Sequence, residues 1–106
     1  MKTQRIWGYY RVIHEAEGMK VKELVVEPGQ SLSMQRHFKR NEFWVVQQGS
    51  CEVNLESETV PLKTHEIMAI PVGEWHQLTN PYEIPCHIVE IQYGDACVEE
   101  DIERQQ

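Results

Sequence analysis

Short apolar runs separated by turn residues recur along the chain, and this pattern is typical of strands rather than helices. The clearest case is the segment 51–56, where Cys51, Val53 and Leu55 alternate with polar residues. A period of two is expected for a strand with one buried face. The other predicted strands are 7–13, 21–27, 43–46, 67–70 and 86–93, several of them followed by Gly or Pro. Many short strands favour a closed antiparallel barrel or jelly roll, because closure hides strand edges.

The chain is long enough for one hydrophobic core and too short for a second catalytic domain, since it has 106 residues. Apolar residues make up 41% and charged residues 25%, which is ordinary globular composition, and no repeat or linker divides the sequence. We therefore predict a single all-β domain over residues 1–106. Its acidic end, residues 95–106, is expected to be either a short helix or a frayed tail.

Net charge and apolar content exclude two classes of binding partner. The net charge of −7 argues against a nucleic-acid partner, because such proteins carry a basic face for phosphate. No segment is apolar enough for a membrane span or a signal peptide, so no membrane partner is expected. Cys51, Cys86 and Cys97 form no CxxC pair, which favours free thiols and a cytoplasmic location.

A first polar motif, with Gln35, His37 and Glu42 at its centre, runs from Gly29 to Gly49. Gln35 and His37 are two residues apart, so on a strand they share a face. Glu42 and Trp44 share a face of the next strand. His37 and Glu42 are an odd number of residues apart, and the predicted turn 38–41, which includes Arg40, lets both side chains face the same interior. An amide oxygen, an imidazole and a carboxylate can therefore converge inside a barrel.

The second polar motif runs Pro71-x-Gly73-x2-His76-x3-Asn80, so that a tight turn delivers another imidazole at the start of a strand. Together, Gln35, His37, Glu42 and His76 form a mixed nitrogen and oxygen set. Such a set suits one divalent ion among Zn, Mn, Fe, Co and Ni, with Zn slightly favoured, and it leaves coordination positions open as in catalytic sites. The remaining histidines, His14, His65 and His87, fit no ligand spacing and are expected to be surface or packing residues.

These spacings resemble the two motifs of the cupin superfamily, with Gln35 where most cupins have their first His. More narrowly, the chain is similar to the C-terminal cupin domain of type II mannose-6-phosphate isomerases, which are bifunctional mannose-1-phosphate guanylyltransferase/mannose-6-phosphate isomerases. The matching pieces include Trp7-Gly8-Tyr9-Tyr10, Gln35-x-His37, Arg40-x-Glu42-x-Trp44-Val45-Val46, Ile70-Pro71-x-Gly73-x2-His76, Glu90-x-Gln92-x-Gly94 and Glu100-Asp101-Ile102-x-Arg104. The chain departs from that family at Phe38, Lys39 and Phe43, where the family usually has His-rich sequence, and it ends at Gln106, before a further family segment.

The resemblance implies a small all-β cupin (a double-stranded β-helix) that isomerises an aldose phosphate to a ketose phosphate through an enediolate. The metal then acts as a Lewis acid, and a base moves a proton between C1 and C2. Glu90 and Lys22 are the candidate bases, and Arg40 is a candidate phosphate ligand. The substrate is accordingly expected to be a sugar phosphate.

Two alternatives remain open: a cupin that binds a sugar or sugar phosphate without catalysis, and an iron-dependent small-molecule dioxygenase. Gln35 weighs mildly against the dioxygenase, since a neutral amide does little to stabilise ferric iron. We also expect a homodimer, the commonest assembly, formed through an edge strand. The N-terminal segment and the strand 86–92 are the candidate edges.

Overall fold

The computed structural model describes residues 1–105, and this part of the chain contains eleven strands and no helix. The strands are β1 (Thr3–Arg5), β2 (Gly8–Ala16), β3 (Met19–Val26), β4 (Gln35–Arg36), β5 (Arg40–Gln48), β6 (Cys51–Leu55), β7 (Thr59–Leu62), β8 (Ile67–Ile70), β9 (His76–Thr79), β10 (Cys86–Gly94) and β11 (Glu103–Arg104). The prediction of an all-β fold is therefore confirmed. Within the described residues, no helical segment has the length and apolar character needed to cross a membrane.

The strands form two antiparallel sheets. One has the order β1-β2-β3-β10-β5-β8, and the other has the order β11-β4-β9-β6-β7. Apolar side chains from both sheets fill the space between them, among them Val26, Val46, Val53, Leu78 and Ile88, which are at most 1% exposed. Burying such side chains is the main source of stability in a domain of this size.

The buried face of the large sheet changes character along its central strands. On β5 and β10, alternate residues face inward, as the period of two requires. The inward residues are apolar at one end, as with Val46 and Ile88, and polar at the other, as with Glu42 and Glu90. Because β5 and β10 pair antiparallel with Gln92 opposite Glu42, the polar ends coincide. The interior is thus divided into an apolar core and a polar chamber.

The C-terminal segment differs from the expected short helix or frayed tail. The strand β11 pairs with β4, with Glu103 opposite Arg36 and Arg104 opposite Gln35. The Arg36 Nε atom also lies 2.6 Å from Glu103 Oε1. Sequence periodicity could not reveal a strand of two residues that is formed only by pairing with a distant segment.

The expectation about dimer edges is wrong for the strand 86–92. This segment belongs to β10, which lies between β3 and β5 and has no free edge. The N-terminal alternative is compatible with the fold, because β1 is an edge strand of the large sheet. Homodimer formation itself stays a prediction, which the molecular mass in solution would test.

Candidate metal centre

Three of the four predicted metal ligands converge in the polar chamber. Potential ligand atoms of His37, Glu42 and His76 all lie within 4.8 Å of one another, and each side chain is at most 3% exposed. The distance from His37 Nε2 to Glu42 Oε2 is 3.2 Å, and that from His76 Nε2 to Glu42 Oε1 is 3.8 Å. Two imidazoles and one carboxylate at these separations can bind one divalent ion.

Both imidazoles are oriented by backbone carbonyl groups. His37 Nδ1 donates to the Asp101 carbonyl oxygen at 2.7 Å, and His76 Nδ1 donates to the Glu74 carbonyl oxygen at 2.9 Å. Since a carbonyl only accepts, Nδ1 carries the proton and Nε2 presents its lone pair to the cluster. Burial, followed by the positive charge of Arg40, lowers the pKa of His37 to about 4, and burial also lowers the pKa of His76. Neutral imidazoles are the form that binds metal.

The Glu42 carboxylate is held from both sides. Trp44 Nε1 donates to Oε1 at 3.0 Å, and Arg40 Nε donates to Oε2 at 2.9 Å. Trp44 had no predicted role at the site, but its indole N–H fixes the carboxylate of the cluster. The spacing Glu42-x-Trp44 was the available signal, because it places both side chains on one face of β5.

Gln35 lies beside this cluster but its role as a fourth ligand stays a prediction. It pairs with His76 across β4 and β9 and lines the same cavity. Its amide nitrogen lies 3.3 Å from both the carbonyl and the hydroxyl oxygen of Ser33. The amide oxygen is therefore the end of the side chain left for a ligand.

Asp101 anchors the C-terminal segment against the loop that carries His37. Its carboxylate accepts the backbone N–H groups of Phe38 and Lys39, each at 2.9 Å. Burial raises the pKa of Asp101, but these hydrogen bonds outweigh it, so that the pKa lies below its ordinary 3.8. The carboxylate thus stabilises the fold above pH 3.8, and this contribution is lost as the pH falls through the lower folded-state value.

We expect the substitution Asp101→Ala to lower the free energy of unfolding by about 1–3 kcal/mol, because two partly buried N–H groups lose a charged acceptor. Urea unfolding at neutral pH measures this change. Asp95→Ala is the matched control, since Asp95 is exposed in the same acidic segment. An equal loss in both variants would contradict the anchoring role.

A cavity of about 330 Å³ opens onto the cluster, and its lining includes the three proposed catalytic residues Lys22, Arg40 and Glu90. Lys22 is 5% exposed, and its ammonium group lies 2.7 Å from Glu99 Oε2 and 4.3 Å from the centre of the Tyr10 ring. Arg40 was expected in a turn, but it is the buried first residue of β5 and donates to Glu42.

Glu90 is the most strongly perturbed carboxyl group of the cavity. Burial raises its pKa from 4.5 to about 8, and the neighbouring Glu42 carboxylate adds to the rise, whereas Lys22 and Gln92 oppose it. Gln92 Nε2 donates to Glu90 Oε1 at 2.7 Å, while Gln92 Oε1 is buried without a partner among the described residues. A buried carboxyl group and a buried unpaired amide oxygen are both typical of ligand sites.

Comparison with known proteins decides the family. The model of the family described as mannose-6-phosphate isomerase C-terminal matches residues 1–106. The chain belongs to this family. It is 39% identical to mannose-1-phosphate guanylyltransferase 2 of Escherichia coli O157:H7 over 95% of its own length and 21% of that protein. It is also 38% identical to the alginate biosynthesis protein AlgA of Pseudomonas putida, over 98% and 21% of the two lengths. The chain therefore spans about a fifth of these relatives.

Solved structures agree on the cupin fold of the mannose-6-phosphate isomerase C-terminal family. A protein of Klebsiella pneumoniae with a double-stranded β-helix domain has a TM-score of 0.80 and 19% identity, covering 97% of this chain and 85% of that one. A cupin-superfamily sugar phosphate isomerase of Silicibacter pomeroyi has a TM-score of 0.68 and 18% identity, covering 84% and 68%. The prediction of a small cupin is confirmed.

The departures from the family pattern lie outside the polar chamber. Phe38 and Lys39 are exposed, and Phe43 is on the outer face of β5 because its neighbours Glu42 and Trp44 point inward. None of the three lines the cavity. Their replacement therefore leaves the inward-facing set of polar residues complete.

Two arginines at the cavity were missed as site residues by sequence reasoning. Arg5 and Arg104 both line it, and neither forms an ion pair with a carboxylate within the described residues. Arg104 Nε lies 3.2 Å from Ser33 Oγ, and the Arg5 guanidinium lies 5.3 Å from the centre of the Tyr10 ring. Arg104 belongs to a matched family motif, which was the available signal, whereas Arg5 had none.

Proposed function

We propose that this cupin domain isomerises an aldose phosphate to the corresponding ketose phosphate with the help of one divalent metal ion, Zn by preference. Mannose 6-phosphate and fructose 6-phosphate are the proposed pair. The single observation that carries the proposal is the buried carboxyl group of Glu90, which faces the same cavity as the His37, Glu42 and His76 cluster. Family membership supports the choice of substrate.

The chemistry of the donor set fits a divalent metal. Neutral imidazole nitrogens and a carboxylate suit Zn and its first-row neighbours, and the carbonyl partners of both Nδ1 atoms are the outer contacts that such ligands need. We propose His37, Glu42 and His76 as ligands, with the Gln35 amide oxygen as the fourth. When bound, the metal supplies Lewis-acid polarisation of the substrate oxygens at C1 and C2.

We propose Glu90 as the base that takes the proton from C2 and returns it at C1. A pKa of about 8 keeps this carboxyl near the working pH, where a group can both accept and release a proton. Lys22 is less suited to this role, because its ammonium group is already engaged by Glu99 at 2.7 Å. Its positive charge instead stabilises negative charge that develops on the substrate during proton transfer.

Arg5 and Arg104 are the proposed phosphate ligands. An arginine fork matches phosphate geometry, and these two guanidinium groups have no carboxylate partner among the described residues. Arg40, the earlier candidate, already donates to Glu42 at 2.9 Å. The Gln92 amide oxygen is proposed to accept a hydroxyl of the sugar, which would satisfy its missing hydrogen bond.

The test is turnover of mannose 6-phosphate by the metal-loaded chain, measured as fructose 6-phosphate formed and as deuterium taken up from solvent. Unphosphorylated mannose is the control, and we expect it to react at least about 100-fold more slowly, since it lacks the group that fixes its orientation. Tight binding without turnover or exchange would favour the non-catalytic alternative. Oxygen uptake by the iron-loaded protein would favour the dioxygenase.

A further inference from the structure

The guanidinium group of Arg40 is embedded in the cluster proposed to bind metal. Its Nε and Nη2 atoms both lie 2.9 Å from Glu42 Oε2, and Nη2 lies 3.3 Å from His37 Nε2. Nη1 donates to the Val98 carbonyl oxygen at 3.2 Å. The side chain is only 7% exposed, so it is an internal cation and not a surface residue.

One atom that accepts a hydrogen bond from Arg40, His37 Nε2, is also the atom through which this imidazole would bind a metal, and the other belongs to the Glu42 carboxylate of the same cluster. His37 Nε2 has one lone pair, because Nδ1 carries the proton that is donated to Asp101. That lone pair cannot serve both an N–H group and a metal ion. A guanidinium group and a divalent cation that share one carboxylate would also repel each other in a protein interior.

We infer that Arg40 is a built-in competitor of the metal: it neutralises Glu42 in the metal-free domain, and metal binding must displace its Nη2 from His37. The inference rests on the proposed metal site. The guanidinium group supplies a positive charge to a carboxylate that is only 2% exposed, and this matters because an unpaired buried charge is costly. Arg40 therefore stabilises the metal-free domain and weakens metal affinity.

Cobalt(II) is the probe, because its visible spectrum reports the ligands and gives the dissociation constant without any activity assay. We expect Arg40→Met to bind cobalt(II) at least about tenfold more tightly than the wild type, because a competing hydrogen bond and a like charge are both removed. With a chelator present, the same variant is expected to unfold at a lower temperature than the wild type. The temperature rise on adding cobalt(II) is expected to be larger in the variant.

Arg36→Met is the matched control. It removes the same charge four residues away, from a side chain that is paired with Glu103 and does not line the cavity. We expect its cobalt(II) affinity to stay within about twofold of the wild type, because the charge is screened by solvent. Equal tightening in both variants would overturn the competition and indicate a net-charge effect.

Arg40→Lys keeps the inference testable if Arg40→Met fails to fold. A lysine neutralises Glu42 but lacks the fork that reaches Glu42 and His37 together, so we expect about threefold tighter binding than in the wild type. Affinity equal to or weaker than the wild type in the folded variants overturns the inference, while the metal site stands. Failure of every folded variant and of the wild type to bind cobalt(II) overturns the inference and the metal part of the proposed function together.

Discussion

Replacing Glu90 by Gln is expected to lower kcat for isomerisation by about 10³-fold, because general acid–base catalysis contributes on the order of 10²–10⁴. The amide has nearly the shape of the carboxyl group but cannot take a proton from C2. Glu90 is buried and hydrogen-bonded to Gln92, so the variant keeps its neighbours in place. The loss should fall on kcat rather than KM, since the proposed role is proton transfer and not binding.

Two measurements separate this role from a structural one. Deuterium exchange at C2 reports the first proton transfer by itself, and it should fall together with turnover in Glu90→Gln. Cobalt(II) affinity and the unfolding temperature should change little by comparison. Glu23→Gln is the matched control, because Glu23 is on β3, opposite Val89, and its partner is the exposed side chain of Arg11. Retained exchange in Glu90→Gln would exclude Glu90 as the base.

Replacing His76 by Ala is expected to weaken cobalt(II) binding by about 100-fold or more, because one of the proposed nitrogen ligands is lost. His76 Nε2 faces Glu42, and its Nδ1 atom is held by the Glu74 carbonyl group, so the wild-type imidazole needs no rearrangement to bind. The d–d absorption of the cobalt(II) complex should weaken or shift with the change in ligands. Isomerisation should be lost with the metal.

His65→Ala is the control for His76→Ala, since His65 is exposed, does not line the cavity and is not a proposed ligand. It should bind cobalt(II) with wild-type affinity. The unfolding temperature gives a second readout, because a bound ion stabilises the folded state by RT ln(1 + [L]/Kd). Cobalt(II) should raise this temperature in the wild type and in His65→Ala, and hardly at all in His76→Ala. Equal affinity in all three proteins would place the metal elsewhere.

Periodicity alone identified the strands whose apolar and polar residues alternate strongly. It failed for strands that form only because they pair with a distant segment. Cys51–Leu55, Ile67–Ile70 and Cys86–Gly94 were predicted to within a residue or two. Thr59–Leu62 was missed, because Pro61 argues against a strand unless it is at an edge, and β7 is an edge strand. The two-residue β4 and β11 form only because distant segments meet, which no local window can show.

The sequence by itself determined the fold class and three of the residues that the structure brings together as a possible metal site. Strand alternation and motif spacing depend on a repeat of two residues, so they can be read locally, and they indicated that His37, Glu42 and His76 face one interior. It left open which side chain Arg40 contacts, and it assigned no role to Arg5 or Arg104. Those roles depend on which side chains meet across strands far apart in the chain. Only the tertiary structure decided that Arg40 is buried on Glu42, and that the two free arginines line the cavity instead.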